Sequence, residues 1–164
     1  MKKWIALVLA VLCAVTLIAC KDETNKGGDG ELYAFVIDGV GVIPGNDAKP
    51  VLEQLQSRKL GESAKGSCLG GIDGEDVLYD YGNFVIKTFR TAEEEEIRWV
   101  SLADDSVSTK KGIKVGASVD AVKAAYGEPT QESDALLMYR CGETELRFTL
   151  RDGAVKGIEY TVTE

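Results

Sequence analysis

An internal repeat constrains the fold of this chain more than any other feature of its sequence. Residues 42–55 align without gaps on residues 113–126, and the alignment pairs Gly45 with Gly116. In both segments the apolar residues recur at the three- and four-residue spacing of an amphipathic helix. A repeat of this kind indicates one supersecondary unit that occurs twice.

The start of each predicted helix carries a recognisable signal. Asp47 and Ser118 stand where a side-chain oxygen can accept a hydrogen bond from the first free amide groups of a helix. Pro50 follows in the first turn of the first helix, where its missing amide proton costs little. The sequence therefore predicts a short helix at the start of each unit.

Segments typical of antiparallel strands follow each predicted helix. Residues 78–87 align with a later hairpin-like segment that places Gly82 on Gly142. Alternating runs around Ile97 and Val155 then match as third strands. We therefore expect each unit to be a helix followed by a three-stranded antiparallel meander.

These units predict the fold class and the organisation of the chain. We expect an α+β fold in which two tandem units form one layered domain, with the sheet covered by helices on one face. The first unit would span about residues 38–104 and the second about residues 112–164, within a folded domain of residues 32–164. A chain of 164 residues has the length of one such domain.

The two units differ between helix and sheet. Their offset is 71 residues at the helix and 60 at the hairpin, so the first unit carries 11 additional residues. These lie within residues 60–76, where five glycines surround a cysteine. We expect a long glycine-rich loop there, which is either a functional element or tolerated surface. The candidate binding residues in this loop are Gly66, Cys68, Gly70, Gly71 and Asp73.

The amino-terminal segment resembles a bacterial lipoprotein signal peptide. Lys2 and Lys3 precede an apolar stretch, residues 4–19, that is shorter than the roughly 20 residues needed to cross a bilayer comfortably. The stretch ends in Leu-Ile-Ala-Cys, a lipobox. The resemblance implies removal of residues 1–19 and a lipid, diacylglycerol and palmitate, on Cys20. The alternative is a plain membrane helix with a coincidental cysteine.

Residues 20–31 are expected to form a flexible tether behind the lipid, because they contain no large apolar side chain. Loss of Lys2 and Lys3 with the signal peptide would leave 17 basic and 27 acidic residues, a net charge of -10. Such a charge disfavours nucleic acid and favours a basic protein partner. We expect the chain to be held to the membrane by its lipid and to bind an envelope protein.

The composition excludes several kinds of active site. The chain has no histidine, which removes Ser-His and Cys-His catalysis and the commonest metal ligand. The carboxylates of residues 73–76 do not keep the spacing of a calcium loop. The acidic run at residues 93–96 is expected to be a solvated turn. No catalytic residue, metal site or cofactor is predicted.

Two cysteines would remain after loss of Cys13 with the signal peptide and acylation of Cys20. Outside the membrane, Cys68 and Cys141 could form a disulfide that joins the units. They could instead remain two separate thiols, one of them buried. The residues leave both alternatives open.

Two short motifs in the second unit resemble those of a known fold. Gly-x-Ser-x-x-x-Val occupies residues 116–122, and Tyr-Gly-Glu-Pro occupies residues 126–129. Together they resemble the β-lactamase-inhibitor-protein-like fold, which is shared with the small lipoprotein subunit of the outer-membrane protein assembly machine. Residues 67–88 are also similar to uncharacterised bacterial lipoproteins with two such units. The resemblance implies binding of other proteins by the sheet, but it transfers no binding residues.

The sequence thus favours an extracytoplasmic, non-enzymatic module that binds a protein or associates with the cell envelope. One alternative is a carboxylate-based hydrolase, which needs two acidic side chains about 5 to 10 Å apart, one of them with a raised pKa. Another is a small-ligand carrier, which needs a deep apolar pocket. Most aromatic residues on the predicted strands, including Trp99, are expected to pack in the core or on the sheet.

Overall fold

The computed structural model describes residues 32–163. Within these residues there are ten strands, two α-helices and one 3₁₀ helix. In chain order they are β1 (Phe35–Ile37), β2 (Val40–Val42), α1 (Lys49–Gln54), the 3₁₀ helix (Gln56–Arg58), β3 (Gly61–Leu69), β4 (Ile72–Asp80), β5 (Phe84–Arg90), β6 (Glu95–Leu102), α2 (Val119–Tyr126), β7 (Gln131–Ser133), β8 (Leu136–Cys141), β9 (Thr144–Arg151) and β10 (Ala154–Val162).

Eight of these strands form one antiparallel sheet in the order β3-β4-β5-β6-β10-β9-β8-β7. The two units meet at its centre, where β6 pairs with β10 and Val100 lies opposite Tyr160. Strands β1 and β2 form a separate two-stranded hairpin, which pairs Phe35 with Val42. The sheet therefore runs without interruption from one unit into the other.

The prediction of an α+β domain with a helix-covered sheet is wrong, because the described part of the chain is mostly β-structure. The two helices have six and eight residues. Their lengths are about 9 and 12 Å at the rise of an α-helix. Eight strands at the usual spacing span about 34 Å. The helices are too short to form a layer over such a sheet.

The core lies on the side of the sheet where the helices and the β1–β2 hairpin pack. Apolar side chains that alternate along the central strands meet Val51 of α1, Leu55 directly after α1, and Val122 and Tyr126 of α2. The largest fully buried aromatic side chains in this cluster are those of Phe35, Phe84, Tyr139, Phe148 and Tyr160.

Both helices are joined to the sheet by the same pair of backbone hydrogen bonds. The amide of Gly45 donates to the carbonyl of Ile97 at 2.7 Å, and that of Gly116 donates to Val155 at 2.8 Å. The amides of Ile97 and Val155 in turn donate, each at 2.9 Å, to the residue that follows the glycine. The chain therefore enters each helix from an equivalent position on the sheet.

The predicted helix starts differ in detail. The Ser118 side chain accepts a hydrogen bond from the amide of Ala121 at 3.2 Å, so it caps α2 as predicted. In α1 the capping position belongs to Ala48, which has no side-chain hydrogen bond. Asp47 lies one residue earlier and accepts from the amide of Lys49 at 3.0 Å.

Each predicted three-stranded meander contains a fourth strand. The additional strands are β3 in the first unit and β7 in the second. The expected glycine-rich loop at residues 60–76 is not present, because this segment forms β3, a two-residue turn and the first half of β4. The sequence of this segment shows no alternation of apolar and polar residues. The reason is that most β3 side chains are exposed, whichever face of the sheet they lie on.

Candidate functional site on the β3–β4 hairpin

The β3–β4 hairpin is the main asymmetry between the two units. Its strands have nine residues each, and nine consecutive residue pairs connect them from Gly61–Asp80 to Leu69–Ile72. The corresponding β7–β8 hairpin of the second unit has only three such pairs. The additional residues of the first unit therefore lengthen a hairpin at one end of the sheet.

The turn at the tip consists of Gly70 and Gly71. Both have positive φ, 58° and 86°. Two-residue turns that suit the twist of a hairpin require positive φ at both positions, which glycine adopts without strain. This glycine pair therefore closes a hairpin, and the remaining candidate residues, Gly66, Cys68 and Asp73, lie on its strands.

Apolar side chains are exposed around this tip. Leu69 is 41% exposed and Ile72 is 60% exposed, and the two are cross-strand partners. Leu78, further along β4, is 40% exposed. Isolated exposed apolar side chains are common, but a pair at the end of a projecting hairpin is typical of a contact surface.

A close packing contact holds the hairpin to the rest of the sheet. A Cβ atom added at Gly74 of β4 would lie 2.6 Å from the carbonyl oxygen of Arg90 and 2.6 Å from the ring of Phe89. Phe89 of β5 is itself buried. Only glycine therefore fits at position 74, and the outer part of the hairpin packs on β5 through it.

The possible disulfide between Cys68 and Cys141 does not form, because Cys68 is a free and exposed thiol. Cys68 lies on β3, the first strand of the sheet, and Cys141 ends β8, the seventh. Six strand spacings amount to about 29 Å, whereas a disulfide joins Cα atoms no more than about 7 Å apart. Cys141 is buried.

Hydrogen bonds join the four strands of the first unit at the base of the hairpin. The Tyr79 hydroxyl donates to Glu95 Oε1 at 2.7 Å, and Thr88 Oγ1 donates to the same oxygen at 2.6 Å. Arg90 Nε donates to Glu95 Oε2 at 3.2 Å. Arg90 Nη2 lies 2.6 Å from the Tyr79 hydroxyl and 3.1 Å from Glu62 Oε1. Side chains from β3, β4, β5 and β6 are thus fixed to one another.

The pKa values in this network suit a structural role. Hydrogen bonds from Lys59 and Arg90 lower the pKa of Glu62 below its usual value. Burial raises the pKa of Tyr79, and its hydrogen bond to Glu95 raises it further. Glu62 is therefore ionised and Tyr79 is neutral at physiological pH.

A cleft of about 850 Å³ lies beside this network, between α1 and the connection from β5 to β6. Leu52 contributes an apolar side chain to its wall, but Tyr79 and Arg90 and the glutamates 93–96 make most of the lining polar. Pockets that hold small apolar molecules are lined mainly by apolar and aromatic side chains. This cleft suits a polar or charged group better.

A second buried ionic group, not anticipated from the sequence, lies in the other unit. Glu145 of β9 is 1% exposed and accepts hydrogen bonds from Arg140 Nε at 3.0 Å and from Arg147 Nε at 2.8 Å. Burial by itself would raise the pKa of Glu145, but the hydrogen bonds from these arginines lower it below the usual value. The only signal in the sequence was a glutamate between two arginines on predicted strands.

The aromatic residues on the strands belong mostly to the core. The side chains of Tyr79, Tyr81, Tyr139 and Tyr160 are at most 5% exposed. Trp99 is half-buried and lies opposite Lys87 and Thr161 on the neighbouring strands. The described residues therefore present no exposed cluster of these aromatic side chains.

The expected lipidation site, Cys20, and the signal peptide and tether around it lie outside the described residues. Within residues 32–163, no helix is long and apolar enough to cross a membrane. In the same residues, no three Cys, Asp or Glu side chains are placed to hold a metal ion together.

No protein-family model and no curated protein matches the chain. Among solved structures, an extracellular protein containing an SCP domain from Bacillus anthracis str. Ames is similar with a TM-score of 0.40 and 10% sequence identity. The match covers 73% of this chain and 44% of that protein, so the chain spans less than half of its length. A likeness at this level does not establish a shared fold or function.

Proposed function

We propose that this chain is an extracytoplasmic lipoprotein, anchored by lipid at Cys20, that acts without catalysis by binding another protein of the cell envelope through its β3–β4 hairpin. The observation that carries the proposal is the exposed pair Leu69 and Ile72 at the tip of a hairpin that the second unit has only in short form. Apolar side chains at a projecting tip gain free energy when a partner removes them from water.

The attachment of the hairpin supports this proposal. Gly74 packs against Phe89, and the network around Arg90 and Glu95 fixes the strands at its base. A binding element that is already ordered loses little conformational entropy when it binds. The hairpin is therefore suited to present Leu69 and Ile72 as a fixed surface.

Two observations favour binding over hydrolysis by carboxylates. Glu62 and Glu95, two of the acidic residues that line the cleft, both contact Arg90. A hydrolase of this kind needs one carboxyl group with a raised pKa to donate a proton. The pKa of Glu62 is lowered instead. The polar lining of the cleft likewise does not favour a carrier of small apolar ligands.

The lipid anchor is tested by growing cells with an alkyne analogue of palmitate. The native chain should take up the label and sediment with membranes, and the Cys20→Ser variant should lose both properties. Cys68→Ser, which removes the exposed thiol of β3, is the matched control and should keep both. Labelling that depends on Cys68 rather than Cys20 would contradict the anchor.

The binding role is tested by crosslinking in intact cells with the lipid anchor kept, followed by mass spectrometry. The native chain is compared with one whose hairpin lacks residues 68–69 and 72–73, so that the Gly70-Gly71 turn, Gly74 and the network at the base remain. A discrete partner that is lost on shortening is expected. Leu60→Ser changes an exposed leucine outside the tip and should have no effect. Diffuse crosslinks that shortening does not change would overturn the proposal.

A further inference from the structure

The outer edge of β3 has no strand partner among the described residues, since β3 ends the eight-stranded sheet. It presents nine residues, from Gly61 to Leu69, whereas β7 at the opposite end has only three. Every second residue of an edge strand directs its amide and carbonyl groups away from the sheet. Within residues 32–163, β3 therefore offers a row of hydrogen-bonding groups without a strand partner.

Proteins usually protect such an edge by prolines, bulges, charged side chains or a short strand. β3 contains no proline, and its register with β4 shows no bulge over nine residue pairs. Of its two charged residues, Glu62 is held by Lys59 at 2.9 Å and by Arg90 at 3.1 Å. Lys65 is the remaining charge on this long edge, which no other strand of the described part of the chain covers.

A second copy of this chain is a poor occupant of the edge. If two β3 strands paired antiparallel over all nine residues, Lys65 would lie directly opposite its own copy. Like charges in that position are destabilising. The whole chain is also acidic, with a net charge of -8, so two copies repel each other. The occupant is better matched as a segment of a different protein.

The two faces of the hairpin specify the chemistry of that segment. On one face, Asp73 and Glu75 of β4 are exposed, and the β3 residues opposite them are Cys68 and Gly66. Arg90 Nη1 lies 3.8 Å from Glu75 Oε2, so Asp73 is the carboxylate of this pair that no ion pair among the described residues holds. Because these two are small, a long basic side chain from a strand beside β3 could reach the carboxylates, about 10 Å away at two strand spacings. This face suits lysine or arginine.

The other face is apolar near the tip. Cross-strand partners share a face, so Leu69 and Ile72 lie together on the side opposite Asp73. An apolar side chain from an added strand would contact Leu69 there. Because neighbouring residues of a strand point to opposite faces, a complementary segment alternates basic and apolar residues.

We propose that the β3 edge binds an extended protein segment of alternating basic and apolar residues, which adds to the sheet as a ninth strand. This inference rests on the proposed function and specifies how its partner is held. Main-chain hydrogen bonds to β3 would supply affinity, and the two faces of the hairpin would supply specificity.

The probe is a ten-residue peptide of alternating lysine and valine at millimolar concentration, added to the full chain. Amide hydrogen exchange should slow on β3 and not on β7, the other sheet edge. A peptide with glutamate in place of lysine should bind roughly tenfold more weakly because it meets Asp73 and Glu75. A lysine peptide with two central prolines, which cannot pair, should give no protection. Equal protection by all three peptides would overturn the proposal.

Two proline variants test the edge itself. Adjacent amides of a strand point in opposite directions, so one of Ala64→Pro and Lys65→Pro removes a bond to β4 and the other removes an outward amide. The variant that keeps its melting temperature is the one that lacks an outward-pointing amide. In this variant the lysine peptide should no longer slow hydrogen exchange on β3. Unchanged protection in that variant would overturn strand addition. Asp73→Lys, at an exposed site, should reverse the preference to the glutamate peptide even if both prolines unfold the domain.

These results separate the two proposals. Crosslinking in cells could find a partner that depends on the tip while the variant with proline at the outward-pointing amide still binds the peptide. In that case strand addition is wrong, but the proposed binding role of the hairpin stands. If the crosslinked products in cells do not depend on the hairpin, the proposed function itself fails.

Discussion

Gly45 and Gly116 occupy equivalent positions in the two units and have nearly identical backbone angles, with φ of 92° and 91°. Each lies just before its helix and donates its amide to the last strand of its own unit, β6 or β10. Residues other than glycine are strained at such angles. The two glycines therefore fix the same entry of the chain into both helices.

Substitution of either glycine should destabilise the fold. We expect Gly45→Ala and Gly116→Ala each to lower the free energy of unfolding by about 1 to 2 kcal/mol, because alanine is strained at positive φ. Neither change meets a close contact, so the backbone alone is tested. Gly41→Ala, in open space without positive φ, is the control and should have little effect. Urea unfolding measures all three; equal stability of all three would contradict this assignment.

The repeat shows how far the sequence specifies the fold. The spacing of Gly45 and Gly116 located both helix entries, and the alternation around Ile97 and Val155 located β6 and β10. The fold class was nevertheless wrong, because the sequence pattern does not show that the helices end after six and eight residues. Nor did it show that β6 pairs with β10 to merge two meanders into one sheet.

The sequence located the candidate site but predicted the wrong conformation for it. The 11 additional residues pointed to the correct segment, yet glycine content favoured a loop where the chain forms a hairpin. Gly74 is needed for a close approach to Phe89, which only the tertiary structure shows. Glu95 was expected in a solvated turn, but it accepts hydrogen bonds from Tyr79 and Thr88 because β6 begins at that residue.

The hydroxyl of Tyr79 should contribute to stability. Tyr79→Phe removes its hydrogen bonds with Glu95 and Arg90 and leaves a partly buried carboxylate less well paired, so the free energy of unfolding should fall by about 1 to 2 kcal/mol. Tyr81→Phe is the matched control, since the buried Tyr81 hydroxyl has no hydrogen-bond partner in the described residues. That change should be neutral or stabilising in thermal unfolding. A larger loss of stability in Tyr81→Phe than in Tyr79→Phe would contradict the structural role of the network.

Glu145 should make stability depend on pH. At pH 7, Glu145→Gln should lower the free energy of unfolding by about 2 kcal/mol, because both arginines lose a charged acceptor. The pKa of Glu145 is lower in the folded state, so its contribution is complete above the unfolded value of about 4.3 and is lost as pH falls through the folded pKa. Urea unfolding at pH 7 and pH 3 should therefore show a smaller difference at pH 3. A constant difference would exclude Glu145 ionisation as its source.

Gly74 should be required for the order of the hairpin. Gly74→Ala places a methyl group against the Arg90 carbonyl and the Phe89 ring, and the resulting overpacking should cost about 1 to 3 kcal/mol. Gly66→Ala on the adjacent strand, with nothing within 4 Å of its added methyl group, should be tolerated. Hydrogen exchange should quicken in β3 and β4 of the first variant alone. Faster exchange in both variants, or in neither, would argue against this packing contact.

The most direct test of the binding role places a photoreactive amino acid at one position at a time in intact cells. At Ile72, on the exposed tip, irradiation should give one crosslinked product of defined mass. At Asp105, exposed in the connection after β6, it should give none. A product from Ile72 that disappears in the Leu69→Ser variant is the result expected for a binding hairpin. No product from Ile72, or the same products from both positions, would contradict it.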